Sequence, residues 1–298
     1  MVTLSVVMSV YNGGAQLAPT LESILGQTAR DFELIAVDDG STDDTHAILT
    51  EYAKRDARLH VITQTNVGLT RSLIRGCDVA RGTFIARHDA GDRSHPERFE
   101  KQLALLHEGH ALVACATKFV DPEGDLLYVA HADGNDVRRS LLSDDARRVH
   151  ALPSHGSAMF RREAYRAAGG YRPAFRMAQD LDLWIRMAVH GSIAIVPEEL
   201  YEATIDARSI SGVNREAQVQ LTRIAVALRD GGDPRTLLAE AQHVAAAPVT
   251  PHAEAAALYF IGKCLLRQRN PRGRKYLVRA LRLNPWHVKA WVSLVVGR

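Results

Sequence analysis

Phe84-Ile85-Ala86-Arg87-His88-Asp89-Ala90-Gly91-Asp92-Arg93-Ser94-His95-Pro96 decides how this chain is read. The apolar run from Thr83 to Ala86 gives way to two carboxylates, Asp89 and Asp92, separated by Ala90 and Gly91, so a buried strand ends in an acidic loop. Open α/β sheets bind ligands beyond the carboxyl ends of their strands. Two carboxylates beside a loop glycine suit a divalent cation carrying phosphate, because hard cations take oxygen ligands and keep substrate phosphates in their shell. Asp, Gly, Ser and Pro also build ordinary solvated turns, so the flanking segments must decide between the two.

Upstream, Leu4 to Val10 is a β-branched apolar run of strand length that ends at the turn Tyr11-Asn12-Gly13-Gly14. Leu17, Leu21, Ile24 and Leu25 then fall at helical spacing, and Gly26 stops that helix. A second strand, Phe32 to Val37, runs into Asp38-Asp39-Gly40-Ser41-Thr42-Asp43-Asp44, a polar run able to cap a helix over Thr45 to Lys54. Strand, helix, strand, acidic loop, helix is the order of a right-handed crossover in a parallel sheet, which gathers its loops on one edge. Leu59 to Thr63 predicts a third strand, and Asn66-Val67-Gly68 opens a helix carrying Leu69, Leu73, Ile74 and Cys77.

Downstream, a helix runs from Pro96 to about Gly109, Ala111 to Ala116 is a buried strand, and Asp121 to Gly124 turns into Asp125 to Val129. Residues 133 to 150 are charged and without a clear period, which predicts a flexible segment over the cleft. Ala158 to Phe160 is a short strand with a helix starting near Arg161. Met177 to Arg186 predicts a helix with Asp180 in its first turn, where the dipole favours a carboxylate. Strands at Ile193 to Val196 and Tyr201 to Ile205 close this part, with Asp206 to Asn214 as a linker or a loop over the site.

With 298 residues, 46% apolar and 24% charged, the chain is an ordinary globular one able to bury a real core. Its apolar runs are too short to span a bilayer, no secretory pattern follows Met1, and Cys77, Cys115 and Cys264 have no metal-type spacing and suit a reducing compartment. A cytoplasmic location is expected. The net charge of +3 hides a split: ten Lys or Arg against the single acid Glu254 from Pro251 onward, a balance of +9 that leaves −6 for residues 1 to 250. A basic appendage of that kind favours an anionic surface, here the inner face of a membrane, or a protein partner, and no nucleic acid is expected.

Several segments together resemble a known family. They are Ser5 to Asn12, Ser23 to Thr28, Phe32-Glu33-Leu34, Asp38 to Asp43, Asn66 to Leu69, Arg81 to Ala86, Gly169-Gly170-Tyr171 and Gln179 to Trp184. In order and spacing they are similar to the family 2 glycosyltransferases, inverting enzymes of the GT-A fold. The resemblance covers residues 3 to 205. It implies an α/β fold, Rossmann-like, with a mostly parallel sheet flanked by helices, over residues 1–214, and leaves 215–298 as an all-α extension.

The resemblance implies a nucleotide-diphosphate sugar as donor and a carbohydrate or lipid-linked acceptor. It places Ser9 and Tyr11 at the donor nucleotide and Asp38 and chiefly Asp39 at base and ribose, since carboxylates accept from imide N–H and sugar hydroxyl groups. A packing ring at a strand end is the other reading of Tyr11. Asp89 joins the donor site and, in the family's Asp-X-Asp motif, the site of a Mg2+ or Mn2+ ion. The chain departs from the usual Asp-Ala-Asp-Asp: Gly91 replaces the residue that normally grips the metal, which implies weak binding. Either Asp92 serves as the ligand, or basic groups such as Arg71, Arg87 or Arg93 neutralise the pyrophosphate. The first is favoured because the adjacent glycine leaves the side chain free to re-aim; loss of activity is a third outcome.

Asp180 aligns with the family's catalytic base, with Gln179 where a Glu usually stands. Inverting transfer needs one base to deprotonate the acceptor hydroxyl and cationic charge to stabilise the leaving diphosphate. Helix capping is the alternative role for Asp180, and Asp182 is expected to support Arg186. His155 either lines the acceptor cleft or is structural, and His88 and His95 flank the acidic loop without an assigned role.

After about Arg215 the pattern is helical throughout, and Leu258 to Leu294 resembles one and a half tetratricopeptide units. So few units do not stand alone, which predicts packing on the first domain or on a second subunit. Two other classes compete with the transferase: a catalytically degenerate scaffold, suggested by Gly91 and Gln179, and a sugar nucleotidyltransferase. The latter would need a glycine-rich basic loop after the first strand, and no Lys or Arg follows Tyr11 before Arg30.

Overall fold

A computed structural model describes residues 2–143, 145, 148–149, 152–207, 215–244 and 250–296. The order is β1 (Leu4–Val10), α1 (Leu17–Leu25), β2 (Phe32–Asp38), α2 (Thr45–Arg55), β3 (Leu59–Thr63), α3 (Leu69–Val79), β4 (Phe84–Asp89), β5 (Arg93–Ser94), α4 (Arg98–His107), β6 (Leu112–Val120) and β7 (Leu126–Ala130). Then follow α5 (Gly134–Leu141), β8 (Met159–Arg161), α6 (Arg162–Ala167), α7 (Gln179–Met187) and β9 (Ile193–Thr204). The C-terminal helices are α8 (Arg215–Arg229), α9 (Pro234–His243), α10 (Pro251–Arg267), α11 (Gly273–Leu283) and α12 (Val288–Val296).

The sheet runs β3-β2-β1-β4-β8-β6-β9-β5, with β7 on β6. The first four strands are parallel, β9 is parallel to β6, and β8, β7 and β5 are antiparallel to their neighbours. Side chains alternate across a strand, and the two faces sort accordingly. Val7, Ile35, Val37 and Ile85 bury against α3 and α7, whereas Val6, Met8, Leu34, Ala36 and Phe84 bury against α1 and α4. Burial on both faces is why these strands read as unbroken apolar runs. Gly82 before β4 is dictated by space, since a Cβ there would lie 2.5 Å from Ser5 N.

Two expectations change. The segment from 133 to 150, read as flexible, contains α5, whose N-cap Asp133 accepts from Asn135 N and Asp136 N and whose Val137 and Leu141 join the core. The polar face of that short helix hid its period. The two last strands are one continuous β9 spanning Pro197, with the register shifting against β6 between Cys115 and Thr117. The expected loop over residues 206 to 214 lies outside the described residues from 208 on.

Leu221, Ile224 and Ala225 of α8 and Ala241 of α9 pack into the same core as α7. Helices α10 and α11 pack on Leu127 of β7, and the approach of Gly262 to Gly273 is so close that a Cβ on either would lie within 2.8 Å of the other's carbonyl oxygen. Tyr276 Oη donates to Asp121 Oδ2 at 2.9 Å, and Arg272 reaches Asp125 at 2.7 Å, so this pair is fastened to the β6–β7 turn. Among the described residues no helix is long and apolar enough to cross a membrane.

Candidate active site

Register brings the candidate residues to one edge. Ser9 lies opposite Asp89 across β1 and β4, and Val10 lies opposite Asp38 across β1 and β2. The turns beyond these strands are laced together: Asn12 N donates to Ser41 Oγ (3.0 Å), Thr42 N to Asn12 Oδ1 (2.8 Å) and Gly13 N to Thr45 Oγ1 (2.8 Å). Asn12 takes a left-handed φ of 53°, a conformation its short polar side chain tolerates. Tyr11, 53% exposed, stands beside this lattice with its ring open.

The acidic pair after β2 faces inward. Asp38 Oδ1 accepts from Ser41 N at 3.0 Å, with His46 Nδ1 3.4 Å from its other oxygen. Asp39, only 2% exposed, accepts from Gln64 Nε2 (2.7 Å), Val67 N (2.9 Å) and Gly68 N (2.8 Å). Its carboxylate therefore ties the loop before α3 and places negative charge near that helix's positive end. Arg71 is exposed in the first turn of α3 and makes no hydrogen bond or ion pair among the described residues. Thr70 Oγ1 donates to Phe175 O at 2.7 Å, fastening α3 to the segment that leads into α7.

The loop after β4 sits on a buried cationic support, Arg87, which the sequence suggests as a diphosphate partner. The Arg87 guanidinium is fully buried and donates to Val7 O, His88 O (3.0 Å), Asp89 Oδ1 (2.6 Å) and His155 Nε2 (3.2 Å). Burial would raise the Asp89 carboxyl, but Arg87, His155 and His88 together hold it below the ordinary carboxylate value. Because its side chain is still 36% exposed, Asp89 keeps an open edge. His88 is buried between Asp89 O (2.9 Å) and Ser94 Oγ (3.0 Å), and burial, with Arg98 beside it, pushes its pKa down to about 3, so it is a neutral structural residue.

Asp92 does not turn toward a cation. Its Oδ2 accepts from Tyr201 Oη at 2.7 Å and its Oδ1 from Thr204 N at 3.0 Å, both on β9, and it is 8% exposed. Burial first, then the neighbouring Asp89 charge, pushes its pKa up to about 7. The expected freedom of Gly91 is used differently: its φ of +99° turns the chain so that its N–H donates to Thr20 Oγ1 and its carbonyl accepts from Thr204 Oγ1, both at 3.0 Å. Arg87, buried beneath Asp89, likewise does not face a diphosphate. The described residues include no group of three or more His, Cys, Asp or Glu able to hold a metal. With one open carboxylate, already paired to Arg87, the donor set does not fit a resident divalent cation.

Asp180 opens α7 after Ala178, which takes φ 53°, and its Oδ1 accepts from Leu181 N at 2.9 Å. Asp182 is buried and bound by Arg172 (3.1 Å) and Arg186 (2.5 Å). His155 joins the two halves. Its Nε2 lies 2.7 Å from Tyr171 Oη, and its ring packs 6.0 Å from that of Trp184 on α7. It interacts electrostatically with both Asp89 and Asp180. Arg87 can only donate, so His155 Nε2 is the accepting nitrogen and Nδ1 carries the proton. Burial, with Arg87 next, pushes the imidazole down to about 4. Tyr201 carries no local motif, Tyr171 stands in a recognised segment without a role, and Arg87 reads in sequence as a diphosphate partner; only the fold assembles the three around Asp89 and His155.

A family model described as glycosyl transferase family 2 matches residues 5–169. EpsE of Bacillus subtilis (strain 168) is 36% identical over 194 residues, which cover 63% of this chain and 67% of EpsE. The amylovoran biosynthesis glycosyltransferase AmsE of Erwinia amylovora is 27% identical over 239 residues, 76% of this chain and 87% of AmsE. Among solved structures, S. aureus TarS 1-349 in complex with UDP matches with a TM-score of 0.59 at 16% identity, covering 99% of this chain and 92% of that one. The mannosyltransferase PcManGT from Pyrobaculum calidifontis, in complex with GDP-Man and Mn2+, matches with a TM-score of 0.58 at 18% identity, covering 99% and 84%. At these identities the structural likeness is one of fold.

Proposed function

The chain belongs to glycosyl transferase family 2, and from that premise we propose that it moves a sugar from a nucleotide-diphosphate donor to an acceptor hydroxyl with inversion, in polysaccharide or glycoconjugate assembly. Support comes from UDP and GDP-Man in the structural neighbours and from the biosynthetic role named for AmsE. The observation that carries the reading is the position of His155, which accepts from Arg87, the partner of Asp89 on β4, at 3.2 Å and packs its ring 6.0 Å from that of Trp184 on α7, the helix that bears Asp180. The strand that carries Asp89 and the helix that carries Asp180 are thus joined through one side chain.

In this reading the open Tyr11 ring offers a flat face to the base. Asp38 and Asp39 hold the loops that wall the nucleotide, with Ser9 at their foot. Asp89 presents its open carboxylate edge to the ribose, and Arg71, unpaired and exposed, meets the diphosphate as a charge-assisted donor. A divalent cation arriving with the donor would supply positive charge to the diphosphate, and Asp89 is the open carboxylate that would face it. Asp180 accepts the proton of the acceptor hydroxyl, whose oxygen forms a bond to the anomeric carbon as the carbon–oxygen bond to the diphosphate breaks on the opposite side. His155, held neutral, fixes the space between donor and base without adding a charge to it.

The test is a thermal-shift and hydrolysis panel of nucleotide sugars, repeated on Asp180→Asn. Stabilisation by a nucleoside diphosphate is expected in both proteins, with turnover in the variant lower by about 10²–10⁴-fold. Undiminished turnover in the variant would remove Asp180 from the reaction.

A further inference from the structure

Helix α12 is apolar on its outward side. Val288, Trp291, Val292, Val295 and Val296 recur at the i, i+3, i+4, i+7, i+8 spacing of one helical stripe, and all are exposed. Its inward positions are the small Ala290 and Ser293, both buried. Trp286, just before the helix, is 88% exposed. A soluble helix normally turns its stripe inward, and an exposed contiguous apolar surface marks an interaction site.

The charge around the stripe selects its occupant. No Asp or Glu follows Glu254 in the sequence. Helix α11, which packs against α12, exposes Arg274, Lys275, Arg279 and Arg282, and α12 itself exposes Lys289. None of these five forms an ion pair among the described residues. A second copy of the chain would set one basic face against another, which is repulsive. An anionic bilayer answers both features at once: it accepts valines and tryptophans at the headgroup boundary and attracts the surrounding cations. Tryptophan is suited to that boundary because its ring is largely apolar while its N–H can remain polar-bonded, and Trp291 Nε1 already donates to Pro285 O at 2.9 Å.

We propose that α12 and the preceding Trp286 form a membrane-docking surface that lies in the plane of an anionic lipid leaflet. It concerns a face remote in sequence from the residues assigned to sugar transfer, and neither reading depends on the other. The chain has three tryptophans, and Trp184 is fully buried in the core, so a change in indole emission on adding lipid reports on Trp286 and Trp291.

The experiment mixes the full chain with phosphatidylcholine vesicles with and without phosphatidylglycerol, and reads sedimentation and tryptophan emission. Expected are a blue shift and at least about tenfold stronger binding to the phosphatidylglycerol vesicles, reversed by added salt. The variant Trp286→Ser with Val295→Glu, both at fully exposed positions, should lose about tenfold or more of that binding with its melting temperature and sugar transfer retained in solution. The proposal is overturned by equal binding to both vesicle types, by absence of binding, or by a stable dimer that the double variant abolishes.

Discussion

Tyr201 Oη donates to Asp92 Oδ2 at 2.7 Å while accepting from Asp89 N at 3.1 Å. One phenol from β9 thus fixes both carboxylate-bearing residues of the loop after β4, 109 positions away from Asp92 along the chain. The acidic loop is held from beneath by this hydrogen bond and by the buried Arg87.

The raised Asp92 carboxyl gives stability a measurable pH dependence. Its folded pKa of about 7 exceeds the reference of 3.8, so between these values the folded state binds the extra proton and stability falls as pH rises. His155, pushed down to about 4 from 6.5, acts with the opposite sign, its contribution being lost as pH falls through that window. Asp92→Asn removes the Asp92 contribution and leaves that of His155. Urea titrations should show the variant gaining on the parent as pH rises from 4 to 7, with a slope of up to about 1.4 kcal/mol per pH unit; a constant difference would refute the assignment.

Gly156 has no room for a side chain. A Cβ there would lie 1.9 Å from Tyr201 Oη and 2.9 Å from Asp89 Oδ2. Gly156→Ala should displace Tyr201, lower stability by about 3 kcal/mol and impair turnover. An unchanged melting temperature would show that the phenol is free to move.

Gly91→Asp tests whether the missing carboxylate limits the affinity for a divalent cation. The backbone φ of +99° strains any L side chain, although open space surrounds the position, so a cost of roughly 1–2 kcal/mol is expected. In return the substitution restores the carboxylate of the family's usual motif. Mn2+ should then raise the melting temperature of the variant more than that of the parent. Equal responses would mean that Asp89 alone sets the affinity.

The latch between the C-terminal helices and the β6–β7 turn separates buried from exposed contributions. Asp121 is buried, with Oδ1 accepting from Glu123 N (3.0 Å) and Asp125 N (2.8 Å) and Oδ2 held by Tyr276. Tyr276→Phe leaves a buried acceptor short of a partner and should cost about 1–3 kcal/mol. Arg272→Ala breaks solvent-exposed pairs to Asp125 and Glu123 and should cost under about 1 kcal/mol. The reverse ranking in urea denaturation would contradict the latch.

Much of the strand and helix order was legible because each element carries its own period: β1, β2 and β4 as apolar runs, α1 and α7 as amphipathic stripes. The edge that gathers Ser9, Asp38 and Asp89 followed from crossover handedness. Helix α5 escaped because its short polar face masks two core residues. The orientation of Asp92 escaped because loop composition does not state which way a carboxylate turns.

What the sequence determined by itself was the parallel sheet, its ligand edge, and the family to which the ordered motifs belong, since each is written in contiguous residues. What tertiary structure decided was the use of each acidic group: Asp39 bound to the loop before α3, Asp92 to β9, Asp89 open above Arg87, and Asp180 on the helix whose Trp184 packs against His155. The fates of Asp39 and Asp92 depend on hydrogen-bond partners tens of residues distant, and local periodicity carries no record of which donor a folded chain will bring beside a given oxygen.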